Sequence, residues 1–234
     1  MAGAKISINV ADGSFDAYVA KPASGEGPAI IVIQEIFGVN PGIRQKCDNW
    51  AKLGYLAVAP DLFWRLRPGI ELNPDVESEF QEALTLFGQF SADKGTDKAI
   101  ADIEDTIHAI RARGIQKVGA VGFCLGGLLA YLTACRTDIN ASVGYYGVMI
   151  DQLLGESHAI AHPLMLHIPT ADHFVGPEAQ AAIHEGLDNH PKVTLHDYAG
   201  LDHGFAAEMG SRRNEGAARL ADARTVDFFA NNLR

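Results

Sequence analysis

The run Ala29-Ile-Ile-Val-Ile33 restricts the fold more than any other stretch of this 234-residue chain. Its apolar residues show no two-residue alternation, so a strand built from them has no face to offer water and must be covered on both sides. Tyr55 to Ala59, closed by Pro60, and Lys117 to Phe123 repeat the pattern. Helical periodicity fills the intervals. Ile43 to Leu53 stops at Gly54, and Thr96 to Arg113 sets Ile100, Ile103, Ile107 and Ile110 on one side before Gly114. Residues 61–75, with Pro68-Gly69 and Asn73-Pro74, read as a long loop. Phe80, Leu84 and Phe87 then fall on one face of a further helix, as pocket lining or as helix core. Leu125 to Cys135, Pro177 to Leu187 and a segment from about Asn214 to the end also read as helices. They alternate with strands at Ala141 to Tyr145, Leu164 to Ile168 and Val193 to Tyr198. At the start, Lys5 to Val10 and Asp16 to Ala20 flank Asp12-Gly13 and predict an antiparallel hairpin. The order predicts an α/β fold in a single domain, 1–234: a mostly parallel sheet covered by helices on both faces, with an N-terminal antiparallel hairpin. In such sheets the chemistry sits at the C-terminal ends of the strands.

Charge narrows the partners. With 29 acidic and 19 basic residues, the net charge is -10, which argues against nucleic acid or an anionic membrane surface as the main partner. The start, MAGAKISINVADGS, has no apolar stretch of signal-peptide length, and no later run is long enough to cross a membrane. A cytoplasmic protein acting on a small molecule, as a monomer or small homo-oligomer, is expected. Three cysteines, Cys47, Cys124 and Cys135, are too few and too odd in number for a secreted disulfide framework.

One of them has a distinctive address. Val118-Gly-Ala-Val-Gly-Phe-Cys-Leu-Gly-Gly127 sets Cys124 between a strand and a helix, within Gly122-x-Cys124-x-Gly126, the G-x-S-x-G pattern with sulfur in place of oxygen. Glycines there let the flanking backbones approach, and the helix N-terminus favours a thiolate and offers the Leu125 amide to an oxyanion. The competing reading is an inert buried thiol with glycines that only serve packing. A nucleophile on such a turn calls for a later acid and then a histidine, each following a strand. Asp172 stands in Pro169-Thr-Ala-Asp-His-Phe-Val175 and His203 in Gly200-Leu-Asp-His-Gly-Phe205. In this reading His203 exchanges a proton with Cys124, and Asp172 fixes the imidazole tautomer. Asp202 is a second, weaker candidate for the carboxylate, because a residue adjacent to His203 has difficulty folding back onto its ring.

Six segments in order resemble the dienelactone hydrolase (carboxymethylenebutenolidase) family of α/β-hydrolases: Gln34-Glu-Ile-Phe-Gly-Val-Asn40, Ala59-Pro-Asp-Leu62, Gly122-Phe-Cys-Leu-Gly-Gly127, Gly144-Tyr-Tyr-Gly147, Asp172-His-Phe-Val175 and His203-Gly-Phe205. The resemblance implies a Cys124, His203, Asp172 triad acting on esters or lactones through an acyl-thioester. It also implies that Glu35 takes the thiol proton when substrate binds, and that the amide of Ile36 is the second oxyanion donor. Phe37, Phe80, Leu84, Tyr145 and Ala207 would line the substrate pocket. Dienelactone-cleaving members of the family carry arginines at the positions of Phe80 and Ala207, a tyrosine at Leu84 and a serine at Gly204. An apolar wall in place of a carboxylate clamp implies neutral, more apolar substrates. Arg65, Arg67, Arg212 or Arg213 could supply a displaced cation.

Two other classes compete. His158 and His162 stand at i, i+4 with His167 and His173 nearby, a spacing that suits a metal, but Pro163 follows and no zinc-protease glutamate is present. A redox sensor at Cys124 lacks a C-x-x-C partner, since Cys135 lies about 16 Å away along a helix. No metal, nucleotide or other cofactor is expected.

Overall fold

Ala29–Ile33 forms β3, and all five of its residues are buried. The structure is a computed structural model that describes residues 3–234. It divides into two compact units, one reaching to Val118 and including Glu208–Ser211, the other formed by Gly119–Ala207 and Arg212–Arg234.

In the first unit, β1 (Ala4–Val10) and β2 (Gly13–Ala20) make the hairpin, with Val10 opposite Gly13 at the turn. β2 pairs antiparallel with β4 (Leu56–Pro60), which runs parallel to β3, giving the order β1-β2-β4-β3. α1 (Pro41–Lys52) starts where Asn40 accepts a hydrogen bond from the Ile43 amide and proline fills the first turn. α2 (Glu77–Ala92) and α3 (Gly95–Arg111) follow the long loop, and α3 buries Ile100, Ile103, Ile107 and Ile110 as its periodicity predicts.

α2 does not use the Phe80, Leu84, Phe87 stripe as its core face. Its buried face is Ala83, Leu86 and Phe90, whereas Leu84 is 38% exposed and Phe80 and Phe87 are half-buried. The physical reason is the docking of Phe90, whose ring lies 5.3 Å from that of Phe63 and fills the space that a side chain at Gly95 would take. That contact turns the Phe80, Leu84, Phe87 face away from the core.

In the second unit, β5 (Val118–Phe123), β6 (Ala141–Tyr145), β7 (Leu164–Pro169) and β8 (Val193–Tyr198) pair in parallel in that order. α4 (Leu125–Arg136), α5 (Pro177–Leu187) and α6 (Glu215–Leu233) complete it. Ser142 on β6 donates to the Ala130 carbonyl of α4, while Tyr145 reaches Asp222 and Thr225 of α6. The two positions differ by an odd number, so α4 and α6 cover opposite faces of the strand. A 3-10 segment at Ile150–Ala159, unforeseen from periodicity, precedes β7. Among the described residues no helix is long and apolar enough to cross a membrane.

Candidate active site

Backbone strain marks Cys124. It follows β5 and caps α4 at φ 56°, ψ -116°, a conformation costly for any residue with a Cβ. Its amide donates to the Tyr145 carbonyl at 3.1 Å, and its own carbonyl accepts from the Gly127 amide at 2.9 Å. Gly122 makes the turn possible, because a Cβ there would stand 1.8 Å from the Gly126 carbonyl oxygen. Leu125 is the first residue of α4, so its amide has no acceptor within the helix. Cys124 is half-buried, whereas Cys47 and Cys135 are buried. Burial drives the Cys47 thiol far above its ordinary range and Cys135 up to about 11, which makes both poor nucleophiles.

Asp172 lies in the loop after β7 and His203 in the loop after β8, both 5% exposed. The protonated Nδ1 of His203 donates to Asp172 Oδ2 at 2.8 Å. The other carboxylate oxygen accepts from the amides of Phe174 and Val175 at 2.8 and 3.2 Å, which fixes the acid for the ring. Tyr146 and Phe174 meet the His203 imidazole edge-on, at ring separations of 4.9 and 4.8 Å. Burial works against a charge on this imidazole, but the Cys124 sulfur and the Asp172 carboxylate outweigh it and push the histidine up to about 10. Nε2 is buried without an aligned hydrogen bond among the described residues, so Cys124 acts on it through proximity and charge in this resting geometry.

The competing carboxylate goes elsewhere. Asp202 Oδ1 accepts from His173 Nδ1 at 2.7 Å and from the backbone amides of His173 and His203 at 3.0 and 2.7 Å. Asp172, His173 and Asp202 are the group of ligand-type side chains that converge among the described residues, yet the two acids are already engaged by these donors. The histidines proposed as a metal pair do not share a helix face: His158 sits in the 3-10 segment bonded to the Gly155 carbonyl, and His162 lies beyond its end. His167 is buried in β7 between the Tyr198 hydroxyl at 2.7 Å and Thr225 at 2.9 Å. Burial holds it well below the usual histidine range, so it serves as a neutral hydrogen-bonding group.

The remaining predicted site residues are found in each unit by itself. In the first, Glu35 and Ile36 follow β3 in a loop pinned by Gly38, where a Cβ would stand 1.9 Å from the Ile70 carbonyl. Phe37 packs on Phe80 at 6.0 Å. In the second, Tyr145 is no pocket wall: it is 1% exposed and its hydroxyl bonds Thr225 at 2.7 Å and Asp222 at 3.0 Å, because odd parity on β6 aims it at α6. The carbonyl of Ala207 accepts from Arg213 Nη1 at 3.2 Å. Three of the four arginines considered as displaced cations are in ion pairs, Arg65 with Asp12 and Asp102, Arg67 with Glu82 and Arg213 with Glu215. Arg212 instead lies over the Phe174 ring at 5.8 Å. A cleft of about 200 Å³ in the first unit, lined by Lys5, Phe15, Asp16, Asp61, Trp64 and others, includes none of the predicted site residues.

A family model described as the dienelactone hydrolase family matches residues 15–233. The chain belongs to the dienelactone hydrolase family. A protein of Azospirillum brasilense is 42% identical over 223 residues, covering 95% of each chain. The carboxymethylenebutenolidase of Pseudomonas putida is 38% identical over 226 residues, covering 96% of this chain and 95% of its own. A crystal structure from Klebsiella pneumoniae superposes with a TM-score of 0.83 at 25% identity, over 97% of this chain and 98% of that one. The protein is accordingly a dienelactone hydrolase-like hydrolase with the mixed, mostly parallel sheet of the α/β-hydrolases, and the hairpin β1–β2 is its antiparallel edge.

Proposed function

We propose that this hydrolase cleaves carboxylic esters or lactones by acyl transfer to Cys124. The observation that carries the reading is the His203 imidazole, bonded through Nδ1 to Asp172 with Nε2 left for the strained Cys124 beside it. The thiol proton passes from sulfur to His203, directly or by way of Glu35 as the family resemblance implies, and the thiolate attacks the carbonyl carbon. The oxyanion takes a hydrogen bond from the Leu125 amide and, as the family resemblance implies, a second from the Ile36 amide. Collapse expels the alkoxide, which His203 protonates, and leaves an acyl-thioester. A water then gives its proton to His203 and attacks the thioester, which releases acid and restores the thiol. Phe80, Leu84 and Ala207 supply apolar surface where the dienelactone-cleaving members have Arg, Tyr and Arg, so the preferred substrates are neutral and moderately apolar.

Intact-mass analysis after a brief challenge with a short p-nitrophenyl ester tests the mechanism. An acyl adduct that is absent in Cys124→Ala supports it, and turnover without dependence on Cys124 overturns it. Loss of activity to a thiol alkylating agent but not to a strong chelator separates this chemistry from a metal-dependent one. A higher kcat/KM for a dienelactone than for the p-nitrophenyl ester would sink the substrate assignment.

A further inference from the structure

We propose that Asp202 is a positioning residue that holds the acid loop and the base loop of the triad in register through one carboxylate oxygen. The inference rests on the catalytic reading above. β7 and β8 pair as far as Pro169 opposite Tyr198. Beyond that point two backbone bonds continue the tie, Thr170 to the Tyr198 carbonyl at 3.0 Å and Ala171 to the Leu201 carbonyl at 2.9 Å. Among the described residues the backbone bonds between the two loops end there. Asp202 Oδ1 takes over: it accepts from the His173 amide, from the His173 ring and from the His203 amide, all within 3.0 Å. One of those amides belongs to the residue after Asp172 and the other to the catalytic base itself. The clamp therefore grips both loops next to the Asp172 to His203 bond.

The surroundings fix the clamp in turn. His173 Nδ1–H donates to Asp202, which leaves Nε2 to accept from Arg212 Nη1 at 3.4 Å. The Arg212 guanidinium covers Phe174, whose ring meets His203 edge-on. Slight burial disfavours the Asp202 charge, yet three donors outweigh it and bring the carboxyl down to about 2, so the clamp stays ionised near neutrality. During acyl transfer His203 gains and loses a proton, and a loosened loop would let the ring swing from the line between Asp172 and Cys124. Misplacements of about 1 Å cost up to about 100-fold in rate.

Steady-state hydrolysis of p-nitrophenyl acetate and alkylation of Cys124 by iodoacetamide test the idea together. Asp202→Ala is expected to lower kcat about 10- to 100-fold with KM changed by less than about threefold, and to slow alkylation in parallel. Asp202→Asn keeps an acceptor oxygen for the two amides and is expected to restore kcat to within about fivefold of the unchanged protein. If Asp202→Ala does not fold, His173→Ala takes its place: it removes the ring bridge alone and is expected to lower kcat about threefold. Asp202→Ala with kcat and alkylation within about twofold of the unchanged protein would overturn the proposal. So would an Asn variant as impaired as Ala, which would assign the effect to charge rather than to register. If the unchanged protein turns over no ester, the catalytic reading fails on its own, and the alkylation rates alone then decide for or against the clamp.

Discussion

Arg65 in the first unit and His203 in the second are both charged groups held against carboxylates, and they are treated in opposite ways. The Arg65 guanidinium bonds Asp12 through Nε and Nη2 and Asp102 through Nη1 and Nη2, while its plane lies 4.3 Å over Trp64. The hydrogen bonds it donates to Asp12, opposed only partly by burial, raise its already high pKa further. The group ties the hairpin turn to α3. His203 has one nitrogen bonded to Asp172 and the other buried without an aligned partner. A saturated ion network serves stability, whereas a buried polar atom left unsatisfied is a cost that a fold accepts where a reaction uses it.

The largest effect should come from emptying the unsaturated site. His203→Gln is expected to lower kcat/KM for a short ester by about 1,000-fold or more, with the thermal midpoint little changed. A loss under tenfold, measured by initial rates, would break the contrast. Gly122→Ala comes next. Its Cβ would meet the Gly126 carbonyl at 1.8 Å, so the elbow must distort, at about 2–4 kcal/mol in chemical denaturation. Arg65→Met should cost about 1–3 kcal/mol, because it takes the Arg65 donors from the buried Asp102 and leaves it the Trp64 indole N–H at 2.9 Å, while kcat per folded molecule stays unchanged. A change in kcat there would mean that the two networks are coupled.

The smallest effect is a slope. His203 is raised from 6.5 to about 10, so the folded state holds a proton that the unfolded state releases between those values. The stability this confers is complete below pH 6.5 and is lost as pH rises through 10. The thermal midpoint should therefore fall over that interval, and fall less in Cys124→Ala, where the sulfur no longer favours the charge. Equal slopes in the two proteins would show that the thiol does not act on the imidazole.

Much of this architecture was legible before any coordinates. β3, β6, β8 and α5 begin and end where apolar runs and proline or glycine predict. The order of Cys124, Asp172 and His203 along the chain, each after a strand, follows from the same patterning. The stripe on α2 stayed open between pocket lining and core, because three apolar side chains at helical spacing define a face but not what it faces. Only the seating of Phe90 on Phe63 decides which face turns inward. Tyr145 lay in a segment shared with the family, but strand parity, not segment identity, determines where its hydroxyl points. Asp202 as a clamp had no sequence signal, since its three donors come from residues on two loops.

The sequence by itself determined the elements, their alternation, and the strained turn that presents Cys124, because helical period, strand period and glycine conformation are local properties of the backbone. The chain order already favoured Asp172 for the imidazole, and the tertiary structure alone decided what the neighbouring Asp202 does instead. Asp172 and Asp202 flank the same histidine in the folded protein, and the register of β7 on β8 sends one oxygen to the ring and the other to the loops that carry it.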